Sequence, residues 1–444
     1  MNPANPHVAI VSLGCPKNLV DSERLSAIMA EAGCIVGAPA DDADVIVINT
    51  CGFLQAARAE SLDIISQAVQ LKSTARARRV IVAGCLVNRD GPNLLTETGV
   101  DAIIGVHDRR KILDAIFAEG PEVHISAPGP AASDAGRLRL TAPHTAFLRI
   151  AEGCSRNCTF CTIPSIRGPY RSKHPDAICD EARELIGDGA IELNVIAQDT
   201  TSYGCDLDDG VDLADLLGRL DRLDGVEWIR LLYTYPLRFD RKLIDTMAAA
   251  EHVVPYIDMP LQHIDGEILR RMGRAVGSDQ VRDLLEAIRR AMPAISIRTT
   301  FIVGFPGETE AQFQHLLDFV ADSCFEAMGA FAYSPEPGTP AATMPDQIPE
   351  QVKQKRLEAI MSLQQEISLQ ANQARLGSEL DVLVDGTDEK GACFGRHGGQ
   401  APDIDGICYL DPPAEPGSLV RGKVVGADEY DLHIEPTATI RPAG

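Results

Sequence analysis

Short β-rich apolar runs alternate with helix-like stretches along most of this chain, and that alternation restricts its fold more than any other feature. In residues 7 to 118 the runs are "HVAIVSLG", "ADVIVINT", "RVIVAG" and "DAIIG". Runs this apolar at consecutive positions suit parallel strands covered by helices on both faces, so we expect an α/β, flavodoxin-like parallel-sheet domain over 6–118. Residues 119–142 are rich in Pro, Gly, Ala and Ser and read as a linker. The beat then resumes with "TAFLRI", "IELNVIA", "EWIRLLY", "PYIDM", "AISIRTTFIVG" and "EAMGAFAY". Six successive βα units over 143–374 predict a partial (β/α)6 TIM-like barrel, with its chemistry on loops at the carboxyl ends of the strands. A long polar helix stopping at Gly377 follows, and 377–443 reads as a small antiparallel β-barrel.

The 444 residues suit about three domains. "MNPANPHVAIVSLGC" puts a cysteine after Leu-Gly as a lipoprotein leader would, but it lacks a basic start and a long apolar run, so a soluble, cytoplasmic protein is expected. Twelve cysteines are too dilute for a disulfide scaffold, which leaves metal or redox chemistry as their better use. The net charge of −23 argues against a broad phosphate-binding surface.

"CSRNCTFC" places Cys154, Cys158 and Cys161 just past the first barrel strand. Three thiolates can hold three irons of a four-iron cluster and leave the fourth open. The competing reading is structural zinc with His174 as fourth ligand. Three further cysteines share one placement: Cys15 ends "AIVSLGC", Cys51 ends "VIVINTC" and Cys85 ends "VIVAGC", each just past a parallel strand. Strand ends in an open α/β sheet share an edge, so these thiols can converge on a second cluster. Each alone could equally be a small buried apolar residue.

The CxxxCxΦC spacing, with Phe160 at Φ, resembles the signature of the radical S-adenosylmethionine enzymes. The resemblance implies that the open iron binds S-adenosylmethionine, whose reductive cleavage yields a deoxyadenosyl radical. "FIVGFPGE", with Ile302, Gly304, Pro306, Gly307 and Glu308, resembles the family loop that lies against the adenine, although Thr300 stands where many members have glycine. Gln198 and Asp199 follow the second barrel strand, with Thr200 and Tyr203, where they could touch S-adenosylmethionine or substrate. His263 and the remaining cysteines receive no role.

Two three-cysteine sets before a terminal β-barrel resemble the methylthiotransferase branch, whose last module is the TRAM domain. That resemblance implies two 4Fe-4S clusters, a reductant such as flavodoxin or ferredoxin, and a sulfur donor. "SLGCPKNLVDSE", "INTCGF", "EGCSRNCTFCTIPSIRG", "AQDTTSYG" and "LQH" resemble the members that modify the β-carbon of an aspartate in small-subunit ribosomal protein S12. Residues 377 to 444 hold thirteen Asp and Glu against five Lys and Arg, a net of −8 that suits a basic protein partner better than tRNA. The alternatives are a methylthiotransferase acting on tRNA adenosine and a non-catalytic iron-sulfur or zinc protein that binds a ribosomal partner. We expect a monomer that engages neither membrane nor tRNA.

Overall fold

A computed structural model describes residues 5–444; the first four residues of the stretch weighed as a leader lie outside it. Six parallel strands form the first sheet: β1 (His7–Ser12), β2 (Ile35–Val36), β3 (Val45–Thr50), β4 (Arg79–Gly84), β5 (Ala102–Ile104) and β6 (Glu122–His124), in the order β2-β1-β3-β4-β5-β6. Every residue of β3 and β4 is buried, which only a sheet covered on both faces permits. Period-two alternation divides them: Ile46, Ile48, Val80 and Val82 pack on Ile65 and Ala68 of helix α2 (Gln55–Thr74), while Val45, Val47 and Ile81 pack on Leu25 and Met29 of helix α1 (Pro16–Glu31). The order is that of a flavodoxin-like sheet, and the chain reverses direction across it between β1 and β3, where such folds bind their ligands.

The second sheet also has six parallel strands, running in sequence order from β7 (Thr145–Arg149) through Glu192–Ile196, Trp228–Leu231, Val253–Asp258 and Ser296–Val303 to Ala327–Ala332. It does not close, and so forms the expected partial barrel. Its inner column of Phe147, Ile196, Trp228 and Tyr256 is met by Val20 of α1 and by Leu383, Ala401 and Leu419 of the C-terminal domain.

That domain is a closed five-stranded barrel, antiparallel except where Cys408–Leu410 pairs in parallel with Leu432–Arg441. It is joined to the amino-terminal ends of the larger barrel by ions: Arg396 and Arg230 both reach Glu192 at the start of its strand, and His144 Nε2 lies 3.0 Å from Asp385.

The Pro- and Gly-rich stretch begins with β6 on the edge of the first sheet. The rest of it, to residue 144, has no regular elements but is pinned by buried charge. Asp134, 1% exposed, receives Arg149, Arg109 and Lys173 at 2.6–3.2 Å. Arg149 also reaches Asp21 of α1 at 2.7 Å and Glu152 at 2.5 Å, and Arg167 bridges Asp21 and Glu152. The network welds α1, this stretch and the start of the barrel into one unit. Removing one member of a fully buried pair typically costs about 3–5 kcal/mol, because its partner stays buried without compensation.

Candidate active site

The N-terminal trio of Cys15, Cys51 and Cys85 arrives from three neighbouring strands. Cys15 caps α1 after β1, Cys51 follows β3, and Cys85 opens helix α3 (Cys85–Asp90) directly after β4. Close approach demands glycine here. A Cβ on Gly14, at φ +90°, would stand 2.7 Å from Cys51 Cβ; one on Gly84, at φ +96°, would stand 2.3 Å from Asn49 Oδ1. Asn18 braces the trio: its amide donates to Leu13 O at 3.0 Å and Thr50 O at 2.8 Å, and its Oδ1 accepts from Arg167 at 2.6 Å and lies 3.4 Å from Cys85 Sγ.

The second trio needs only one loop. The Arg156 backbone N–H points at Cys154 Sγ over 3.5 Å, the Ile163 N–H at Cys161 Sγ over 3.4 Å, and the Arg274 guanidinium at Cys158 Sγ over 3.9 Å. Arg156 is itself held by Asp199 at 2.7 Å, and Arg156 and Arg274 stack on Tyr235, 4.2 and 4.1 Å from its ring centroid.

Both trios line one cavity of about 320 Å³. Burial pushes the thiols of Cys85 and Cys161 up to about 12 and that of Cys154 up to about 11. These sulfurs are therefore protonated at neutral pH unless a bound metal supplies positive charge, and metal binding would release their protons. Six soft sulfur donors around one cavity fit iron-sulfur clusters. No group of three His, Cys, Asp or Glu among the described residues is drawn tightly enough around one point for a single metal ion. A cluster, with each thiolate on a different iron, takes a wider spacing. The zinc alternative loses its fourth ligand, because His174 sits outside the cavity with an exposed side chain whose Nδ1 accepts from the Asp176 N–H at the start of a helix.

Phe160, Gln198 and Asp199 line the same cavity, and Gln198 Oε1 is buried without a hydrogen-bond partner among the described residues. Ile302, Gly304, Pro306, Gly307 and Glu308 do not line it. Ile302 and Phe160 both pack against the small core of Ile268, Met272, Phe305, Tyr333 and Ala341, and Glu308 closes its own turn by accepting from the Gly304 N–H at 2.6 Å and the Phe305 N–H at 3.1 Å while Arg356 donates to it at 3.1 Å. Thr200 and Tyr203 serve the fold: their hydroxyls donate to Leu232 O and Lys173 O. His263 is buried, its Nδ1 accepting from the Asp265 N–H, and burial pulls its ring down to about 3. Cys34, Cys179, Cys393 and Cys408 are buried elsewhere, and Cys205 and Cys324 are exposed.

The cavity also holds Lys17, Arg167, Arg156, Arg274, Tyr233 and Tyr235, which sequence reasoning passed over. "LLYTYP" at the end of the third barrel strand was the available signal for the tyrosines, since catalytic faces of such barrels gather there. Burial pulls the Lys17 ammonium down to about 8.

Sequence models of known families divide the chain in three. The radical SAM superfamily matches residues 148–320, the uncharacterized protein family UPF0004 matches 7–105, and the TRAM domain matches 376–436. Among curated relatives, the ribosomal protein uS12 methylthiotransferase RimO of Desulforudis audaxviator (strain MP104C) is 42% identical over 441 residues, covering 98% of this chain and 97% of the relative. The RimO of Pelotomaculum thermopropionicum is 43% identical over 434 residues, covering 96% and 98%. A solved structure of the radical S-adenosylmethionine methyltransferase TsrM from Kitasatospora setae, with cobalamin and a [4Fe-4S] cluster bound, shares the fold with a TM-score of 0.55 at 13% identity, covering 76% of this chain and 74% of that one. No helix among the described residues is long and apolar enough to cross a membrane.

Proposed function

This chain belongs to the RimO family of ribosomal protein uS12 methylthiotransferases, and on that premise we propose how its two cysteine trios divide the reaction. The enzyme methylthiolates uS12, and the modified position is the β-carbon of an aspartate. Its cofactors are S-adenosylmethionine and 4Fe-4S clusters. Cys154, Cys158 and Cys161 hold the cluster at which S-adenosylmethionine is cleaved, and Cys15, Cys51 and Cys85 hold the auxiliary cluster that handles sulfur. When bound, these groups supply the radical that removes hydrogen from an unactivated carbon and the sulfur and methyl group that replace it.

The observation that carries this reading is that all six thiols line one cavity. A target carbon held there would face both sets of thiols, which fits a reaction whose two halves act on one atom. The chain's own part is positional. The backbone N–H groups at Cys154 and Cys161 orient those sulfurs, Asn18 and Arg167 brace the first trio, and Phe160, Gln198 and Asp199 contact S-adenosylmethionine. Phe160 packs against the small core of Ile268, Met272, Phe305, Tyr333 and Ala341, which Ile302 also covers. A reductant such as flavodoxin or ferredoxin supplies electrons and a separate donor renews the sulfur; the enzyme works in the cytoplasm as a monomer.

The acidic C-terminal barrel, with its net of −8, favours a basic protein over tRNA. Anaerobically reconstituted enzyme, given S-adenosylmethionine and reductant, should add a methylthio increment to intact uS12, located by fragmentation on one aspartate, and leave tRNA nucleosides unchanged. Modification of tRNA adenosine with uS12 untouched would support the tRNA enzyme instead.

A further inference from the structure

Of the four cations that line the cavity, Arg167 and Arg156 are paired with carboxylates, Arg274 donates to Pro260 O and toward Cys158 Sγ, and Lys17 alone has neither kind of partner among the described residues. Arg149, Arg167, Arg109 and Arg156 all reach a carboxylate within 3.2 Å. Lys17, second residue of α1 and 5% exposed, has no ion pair and no hydrogen bond from its ammonium among the described residues. Its Nζ instead stands 2.7 Å from the centroid of the Tyr233 ring, and the residue lines the cavity between the two trios. Of the acidic groups nearest it, Cys15 belongs to the first trio, Asp258 accepts from the Tyr233 N–H at 3.1 Å and from Arg298 at 3.2 Å, and Glu152 holds Arg149 and Arg167. Burying a lone ammonium is expensive, and an aliphatic side chain would cover the same ring without that cost.

Tyr233 pays for its position as well. It is a bulky residue at φ +60°, fixed by the Asp258 contact and by the Thr200 N–H donating to its carbonyl at 3.0 Å. Of five non-glycine residues with positive φ among those described, Tyr233 and Gln262 both line this cavity. Strained backbone of this kind persists where the surrounding structure enforces it, commonly at ligand sites.

We propose that Lys17, presented on the Tyr233 ring, receives the side-chain carboxylate of the target aspartate and so holds the adjacent β-carbon between the two trios. This rests on the reading of the enzyme as a uS12 aspartate methylthiotransferase. The carboxylate is one bond from the reacting carbon, so pairing it with a fixed ammonium confines that carbon more closely than contacts along the rest of the substrate can. It also gives the cavity a reason to accept an acidic side chain and refuse its amide, since the amide leaves the ammonium unpaired. Lys17 is a positioning and specificity residue, with no part in bond making.

The test is calorimetric binding of recombinant uS12, and of uS12 with the target aspartate changed to asparagine, to reconstituted full-length enzyme. Wild-type enzyme should bind the aspartate form about tenfold more tightly than the asparagine form, and Lys17→Met should reduce that ratio to less than about twofold, chiefly by weakening the aspartate form. Lys17→Arg should retain most of the preference. Iron and sulfide contents equal to wild type confirm that the variant site is intact; if Lys17→Met loses iron, Lys17→Gln carries the same comparison. The proposal is overturned if wild-type enzyme does not distinguish the two forms, or if the Lys17 variants keep the ratio or weaken both forms equally. Failure of wild-type enzyme to methylthiolate uS12 at all would instead remove the functional reading beneath it.

Discussion

The two cysteine trios reach one cavity by opposite routes. Cys154, Cys158 and Cys161 lie within eight residues of a single loop, oriented by that loop's own backbone N–H groups and by Arg274. Cys15, Cys51 and Cys85 come from three parallel strands and are brought together by the sheet, by glycines that allow close approach, and by Asn18 and Arg167 reaching across domains. The local trio depends on the integrity of its loop. The assembled trio depends on the whole N-terminal sheet and on its weld to the barrel, so damage far from any cysteine should disable it first.

The largest expected effect is on the local trio. Cys158→Ala should lower iron by about four atoms per chain and eliminate 5′-deoxyadenosine, measured by iron assay and chromatography. Retention of deoxyadenosine at the wild-type rate would show that this trio does not host the cleavage.

The weld comes next. Arg149→Met removes the guanidinium shared by Asp21, Asp134 and Glu152, leaving three buried carboxylates with one fewer buried cation among them, and should cost about 3–5 kcal/mol in denaturant unfolding. Iron assigned to the N-terminal trio should fall before iron in the loop trio does. Equal loss from both would erase the distinction drawn between them.

An acid titration probes the other end of the barrel. Burial alone would raise the Glu192 carboxyl, but Arg396 and Arg230 outweigh it and hold the group at about 2, against an ordinary 4.5. A depressed carboxyl contributes its stability in full above the unfolded value, and that contribution fades as pH falls from about 4.5 toward 2. The loss should approach about 3 kcal/mol. Melts recorded across this window should show the slope, and Glu192→Gln should flatten it while leaving the iron content at pH 7 unchanged.

Cys205→Ser should have the smallest effect. The residue is exposed and outside the cavity, so iron content, deoxyadenosine and product should all match wild type.

These differences also explain what the sequence could disclose. The loop trio is a spacing, readable without any fold. The assembled trio was readable because "VIVINTC" and "VIVAGC" repeat one strand-then-cysteine pattern, which tells where the sulfurs go once the strands are parallel. The charge network was not readable: Asp21, Asp134, Arg149 and Lys173 are distant in sequence and look like ordinary surface charges until packing buries them. The same blindness hid Lys17, whose lack of a partner is a property of three-dimensional surroundings. It also made the Pro- and Gly-rich stretch read as a simple connector, whereas its Asp134 is the centre of the weld.

The division of labour between the trios is tested most directly by Cys51→Ala enzyme, reconstituted and supplied with S-adenosylmethionine, reductant and uS12, with 5′-deoxyadenosine and methylthiolated uS12 measured in the same samples. Deoxyadenosine should still form while methylthiolated uS12 is absent. Loss of deoxyadenosine to the level of Cys154→Ala would contradict the account.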